Sequence, residues 1–159
     1  MDGLTLERML ISDPYTKQIF EGEVAKDELQ QYFGTSNGLI VSNTARRSEQ
    51  GKHWVIFNNG STSLEFFDSL AEKPEHYGME FERFVLENTS DKSLKTVPFQ
   101  LQSTNTDTCG YYRLYFAFMR RRGYSFEIIT DRFSKNILMN EQLVVRRVKQ
   151  WFKYKARDQ

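Results

Sequence analysis

Residues 106–123 read Thr106-Asp107-Thr108-Cys109-Gly110-Tyr111-Tyr112-Arg113-Leu114-Tyr115-Phe116-Ala117-Phe118-Met119-Arg120-Arg121-Arg122-Gly123. From Tyr111 to Met119 the stretch is apolar on nearly every face, the pattern of a helix surrounded by protein. Thr106, Asp107 and Thr108 are all N-cap residue types, and Gly123 is a natural stop. The spacing therefore predicts a central buried helix with Cys109 in its first turn. Cys109 is the only cysteine of the chain, which excludes an internal disulfide and a multi-cysteine metal site.

Upstream of this helix, Lys95 to Gln102 alternates, with Val97, Phe99 and Leu101 on one side. It reads as a strand that Pro98 restricts to an edge or an early position, with Gln102 at its end. Earlier still, His53-Trp54-Val55-Ile56-Phe57 is strand-favouring. Asn58-Asn59-Gly60 supplies a turn, and Leu64 to Phe67 returns as the partner. A fold about Gly60 and Ser61 sets His53 across from Asp68, within a residue or two of register. Leu39-Ile40-Val41 has the length of a further buried strand.

Short helices are predicted from Thr5, as cap, to Leu10, closed by Asp13-Pro14, and around Lys26 to Phe33. Downstream, helices are predicted over Ser125 to Phe133 and Asn140 to Tyr154. The last carries an apolar stripe of Val144, Val148, Trp151 and Phe152. The fold class is α+β, a mixed, mainly antiparallel sheet against the central helix, with flanking helices.

At 159 residues, with no repeat and no linker-like tract, one domain over residues 1–159 is expected. No apolar run spans a bilayer and the start lacks the order of a secretory signal, so no membrane partner is expected. The net charge is +1, yet basic residues gather late in the chain. Arg120, Arg121, Arg122, Arg146, Arg147, Lys149 and Lys153 allow a polyanion such as DNA without demanding one.

A cysteine attacks as thiolate, and a helix N-terminus with a protonated histidine nearby favours that form. Cys109 is thus the candidate nucleophile and His53 the candidate base, with Asp68 fixing the imidazole. Gln102, seven positions before Cys109, and the Cys109 N–H are the candidate oxyanion donors. Gly110 leaves room for substrate backbone beside the nucleophile. Each piece alone is weak, since a lone cysteine is commonly a small core residue. Histidine opening a strand, acid ending its hairpin partner, glutamine ending a strand and cysteine opening an apolar helix make the case together.

These residues resemble the adenovirus protease family, adenain, with its relatives in DNA viruses and Polinton-type transposons. Asn43-Thr44-Ala45 through Arg47, Gly51 and His53-Trp54 is similar to the family's segment before its histidine. Phe66-Phe67-Asp68-Ser69 resembles its acidic run, where adenain has glutamate, and the step from Gln102 to Cys109-Gly110 matches. The likeness spans Pro14 to Trp151.

It implies a papain-like core and a cysteine endopeptidase that cuts viral precursor proteins after glycine. Asn43, Trp54 and Gly110 would then line a slim groove. The implied setting is the virion and infected-cell nucleus, or for a non-viral member an intracellular one, with a monomer as the expected state. No cofactor is required by that chemistry, although DNA or a non-covalent peptide activator stays open. The second cysteine through which adenain binds its activating peptide is absent, so disulfide-linked activation does not carry over. The competing readings are a SUMO or ubiquitin-like isopeptidase, whose glutamine-to-cysteine step is one residue shorter, a cysteine-dependent acetyltransferase, and a non-catalytic nucleic-acid-binding core.

Overall fold

The computed structural model describes residues 1–32 and 38–152. The chain runs through α1 (Gly3–Ser12), α2 (Pro14–Lys17), β1 (Phe20–Val24), a 3-10 segment (Lys26–Tyr32), β2 (Gly38–Asn43), β3 (Trp54–Asn59) and β4 (Ser63–Phe67). A second 3-10 segment (Pro74–Tyr77), α3 (Met79–Asn88), β5 (Ser93–Thr96), α4 (Cys109–Arg121), α5 (Phe126–Asp131) and α6 (Ile137–Trp151) follow.

The five strands form one mixed sheet in the order β1-β2-β3-β4-β5. Its two central pairings are antiparallel and its two outer pairings parallel. Both faces are covered, which explains why β2 and β3 read as continuous apolar runs rather than alternating ones. Leu39, Val41, Ile56 and Phe67 pack with Tyr112, Leu114, Phe116 and Ala117 of α4. Ile40, Val55, Phe57, Leu64 and Phe66 point the other way, to Phe81 and Phe84 of α3. Aromatic pairs run through both layers, Phe67 on Phe116 at 4.5 Å and Phe57 on Phe84 at 4.7 Å between ring centres. The expected α+β architecture, a mixed sheet against a central buried helix with flanking helices, is the one found. No helix among the described residues is long and apolar enough to cross a membrane.

The hairpin that carries the candidate base is displaced from its expected register. Ile56 lies opposite Phe67 and Asn59 opposite Leu64, with the turn closed by the Gly60 N–H on the Ser63 carbonyl at 3.0 Å. Continuing that ladder sets Asp68 across from Val55 rather than His53. Side chains alternate along a strand with a period of two, so this slip keeps His53 and Asp68 on one face and makes their approach diagonal.

Several boundaries also move. Asp2, not Thr5, caps α1, and its carboxylate accepts the Thr5 N–H at 2.7 Å. The expected strand at Lys95 to Gln102 is instead the four-residue β5, which ends at Thr96 before Val97-Pro98. Proline gives up the next ladder donor, and Gln102 consequently sits in a loop. The Leu101 and Gln102 N–H groups both donate to the Ser69 carbonyl, at 2.8 and 3.0 Å. The helical piece expected from Lys26 is a 3-10 helix, and Phe33 lies outside the described residues. Helix α6 begins earlier than expected because Asn136 caps it, and Tyr154 is likewise outside the described residues. Helix α4 has the expected limits, with Gly123 beyond its end at a φ of 91° that suits glycine.

Candidate active site

Helix α4 opens on Cys109, whose N–H is a first-turn donor that the helix itself leaves without an acceptor. His53 immediately precedes β3, and its carbonyl accepts the Thr44 N–H at 2.9 Å. Asp68 immediately follows β4. The His53 Nε2–H donates to Asp68 Oδ1 at 2.7 Å, and the same oxygen accepts the Leu70 N–H at 2.9 Å. The Tyr77 hydroxyl donates to Asp68 Oδ2 at 2.5 Å. Both carboxylate oxygens are therefore held from several sides, and the Asp68 side chain cannot turn without breaking bonds. The Cys109 thiol lies near enough to the imidazole for each to shift the other's protonation.

Burial opposes every charge in this cluster, and its geometry overrides that opposition. For His53 burial lowers the pKa, but the hydrogen bonds to Asp68 and Cys109 outweigh it and hold the ring above its ordinary value. Burial raises Cys109, yet the His53 hydrogen bond, the Arg113 charge and the Trp54 N–H hold the thiol below its usual range. Asp68 is also lowered, as the His53 hydrogen bond and the His53 and Arg113 charges overcome its burial. Shifts in these opposite directions favour a thiolate–imidazolium pair.

Asp68 and Asp13, the latter held by Arg122 and Thr16 against its own burial, both have folded-state values below their unfolded ones. Each thus contributes stability that is present above the unfolded pKa and lost as pH falls through the folded one. Thermal unfolding followed from about pH 6 to about pH 2 should show Tm falling below the ordinary carboxylate range, near ~3.9. An unchanged Tm across that range would contradict the assigned bonds.

Gln102 is 2 % exposed. The Ser69 hydroxyl donates to its Oε1 at 2.5 Å, which turns its amide nitrogen toward Thr106, where Nε2 donates to the carbonyl at 3.1 Å. Nε2 also lies 3.4 Å from the Thr106 hydroxyl, and the second of its two protons reaches the cleft by exchanging that longer contact. The loop before Cys109 is pinned from α6 by Glu141, which accepts from the Thr106 hydroxyl at 3.0 Å and from the Thr108 hydroxyl. The cleft, about 550 Å3 in volume, is lined by Asn43, Gly51, His53, Trp54, Gln102 and Cys109 among others. Asn43 also shapes the approach to His53, because its Oδ1 accepts the Ala45 and Lys52 N–H groups. Gly110 does not stand on the cleft wall as expected. A Cβ there would meet the Met1 sulfur at 2.9 Å, so Met1 occupies the space beside it.

Sequence reasoning missed Arg113, Tyr77, Ser69 and Glu141. For Arg113 the signal was a charged residue four positions after Cys109, on the same face of an otherwise apolar helix. Among the described residues no three of His, Cys, Asp and Glu converge as a metal site requires.

The basic run is at the far end of α4, roughly 18 Å of helix from Cys109, and its side chains are engaged internally. Arg120 grips the buried Glu65 at 2.8 Å, Arg121 donates to the Tyr15 carbonyl at 2.9 Å, and Arg122 pairs with Asp13 at 2.6 Å. Arg146 and Lys149 are exposed, Arg147 is half-buried and donates to Gln150 at 3.3 Å, and Lys153 is outside the described residues.

No family model matches the chain, and no curated protein matches it. Two structures of ChlaDub1 from Chlamydia trachomatis have a similar shape. One is 17% identical over 64% of this chain and 47% of that one at a TM-score of 0.46. The other, an effector protein, is 13% identical over 80% of this chain and 60% of that one at 0.49. The ASFV pS273R protease is 20% identical over 67% of this chain and 43% of that one at 0.41. The matched region spans less than two thirds of each of these three chains. At these TM-scores the likenesses carry nothing about activity, which rests on the arrangement of Cys109, His53, Asp68 and Gln102.

Proposed function

We propose that the chain is a cysteine endopeptidase in which Cys109 is nucleophile, His53 base and acid, and Asp68 the group that orients the imidazole. The observation that carries this reading is one imidazole held by a buried carboxylate at 2.7 Å, with a thiol at a helix mouth lining the same cleft beside it. The Cys109 thiolate attacks a scissile carbonyl, forming a C–S bond while the carbonyl electrons move to oxygen. The Cys109 N–H and a Gln102 Nε2–H turned away from the Thr106 hydroxyl are the donors for that oxyanion. Its collapse breaks the C–N bond, and the His53 imidazolium gives its proton to the leaving amine. His53 then takes a proton from water as the water attacks the acyl-enzyme, and the departing sulfur is again a thiolate.

The proposed substrates are precursor polypeptides of a virus or virus-like element, cut after glycine, with the virion and infected-cell nucleus as the setting. Gly51, Asn43 and Trp54 line the cleft, and Gly51 presents no side chain to it, which supports passage of a glycine-containing segment. Any stimulation by DNA falls to Arg146, Arg147, Lys149 and Lys153, since the Arg120 to Arg122 side chains hold Glu65, Tyr15, Gln18 and Asp13. Incubation with peptides containing Gly-Gly followed by a further residue, with SUMO and ubiquitin conjugates, and with acetyl-CoA separates the candidate reactions. Cleavage of the peptides is expected. Conversion of SUMO or ubiquitin conjugates alone, or of acetyl-CoA alone, would replace this reading.

A further inference from the structure

Among the described residues Arg113 is the largest fully buried side chain, at 0 % exposure, and none of the catalytic steps above is assigned to it. Its Nε–H donates to the Trp54 carbonyl, and its Nη2–H donates to the Ser69 hydroxyl at 2.9 Å. Nη2 is also 3.8 Å from Asp68 Oδ1 and 3.5 Å from His53 Nε2. That ring nitrogen already carries its proton toward Asp68, so the second approach is a proximity of charges rather than a hydrogen bond. Below it, the guanidinium lies 5.3 Å from the Phe67 ring centre. Nη1 is buried without a partner among the described residues.

A buried cation with an unsatisfied nitrogen is a poor device for stability, because an apolar side chain of similar volume commonly does as well or better. Its connections follow a different logic. Arg113 stands one turn below Cys109 on the same face of α4, and it reaches three separate parts of the site. Trp54 follows His53 and turns its N–H to the Cys109 sulfur. Ser69 follows Asp68, and its hydroxyl donates onward to the Gln102 side-chain oxygen, Oε1. The titratable groups facing the guanidinium are His53, Asp68 and Tyr77 from the hairpin and the segment after it, and Cys109 and Tyr112 from α4 itself.

We propose that Arg113 is a positioning residue that joins the helix carrying Cys109 to the His53 strand and, through Ser69, fixes the Gln102 amide for oxyanion binding. This rests on the reading of Cys109 as nucleophile. The Arg113 charge also offsets that of Asp68, so that the buried cluster comes close to neutral when Cys109 and His53 are an ion pair. Its field favours the thiolate and disfavours the imidazolium, which makes the cysteine less dependent on histidine protonation.

The test uses Arg113→Met, Arg113→Lys and Ser69→Ala, with fold checked by circular dichroism. The rate of Cys109 alkylation by iodoacetamide against pH needs no substrate. Arg113→Met should move its midpoint upward by about one unit, slowing alkylation roughly tenfold on the lower limb, and Arg113→Lys should restore most of that shift. Ser69→Ala should leave the midpoint in place. It should instead lower kcat on a Gly-Gly peptide roughly tenfold with KM little changed, and hasten exchange of the Gln102 side-chain amide protons seen by NMR. A folded Arg113→Met protein with the wild-type alkylation profile would overturn the proposal. So would a Ser69→Ala protein with unaltered kcat and Gln102 exchange. If Arg113→Met does not fold, Arg113→Lys decides through kcat, because lysine keeps the charge but cannot hold Trp54 and Ser69 together, and a wild-type kcat would reject the role. A wild-type protein that hydrolyses no peptide removes the peptidase reading instead, while the alkylation and exchange measurements still judge Arg113 and Ser69.

Discussion

Cys109→Ala is expected to lose at least ~10^4-fold in kcat on a glycine-containing peptide, with Tm close to wild type. The expectation has two physical parts. The sulfur is the nucleophile that His53 serves, so removing it leaves only the oxyanion donors and binding contacts. The site is also small enough to tolerate the change. Cys109 is 7 % exposed at the rim of the cleft, and losing its sulfur opens the space to water rather than leaving a sealed cavity. Turnover by the alanine protein equal to wild type would end the proposed role of Cys109.

Asp68→Asn should be the gentler of the two substitutions, with a loss of roughly 10^3-fold. The reason lies in the bonds around the carboxylate. Oδ1 accepts from both the His53 Nε2–H and the Leu70 N–H, whereas Oδ2 faces the Tyr77 hydroxyl. An asparagine that keeps its oxygen at the first position and its amide nitrogen toward Tyr77 satisfies all three, since a hydroxyl can also accept. The histidine tautomer is thereby preserved. What disappears is the negative charge beside the imidazolium, worth about 4 kcal/mol at ~4 Å and an effective dielectric of ~20, equivalent to about three powers of ten in rate. Steady-state kinetics checks the magnitude. A drop as large as that of Cys109→Ala would mean that the tautomer is lost as well, and activity near wild type would remove Asp68 from the mechanism.

The site was legible in the sequence where it depended on local pattern. The apolar length from Tyr111 to Met119, the cap residues before Cys109 and the stop at Gly123 are properties of one continuous segment, and α4 has those limits. His53 and Asp68 were brought together by hairpin counting, which survived a two-residue error in register because strand faces repeat every two residues. Gln102 was expected near Cys109 at the end of a strand. It does line the same cleft, but a loop hung on the Ser69 carbonyl holds it there.

The remainder depended on contacts between distant parts of the chain. Arg113 reads as an interruption in an apolar helix until Trp54 and Ser69 are seen against it. Tyr77 reads as part of a polar stretch until its hydroxyl meets Asp68. Helix α3 was overlooked although Phe81, Phe84 and Asn88, at helical spacing, are its buried face. The many glutamates around them dilute the stripe. The Arg120 to Arg122 run shows the opposite effect. A cluster of cations looks like a surface for polyanions, but Glu65, Tyr15 and Asp13, far off in sequence, take up all three side chains.

Mass spectrometry after incubating the folded chain with a Gly-Gly peptide bearing a C-terminal vinyl electrophile addresses the nucleophile and its base together. One adduct on Cys109 is predicted, formed far more slowly in a His53→Ala protein. Absence of an adduct in wild type, or equal labelling of the two proteins, would contradict a thiol activated by that imidazole.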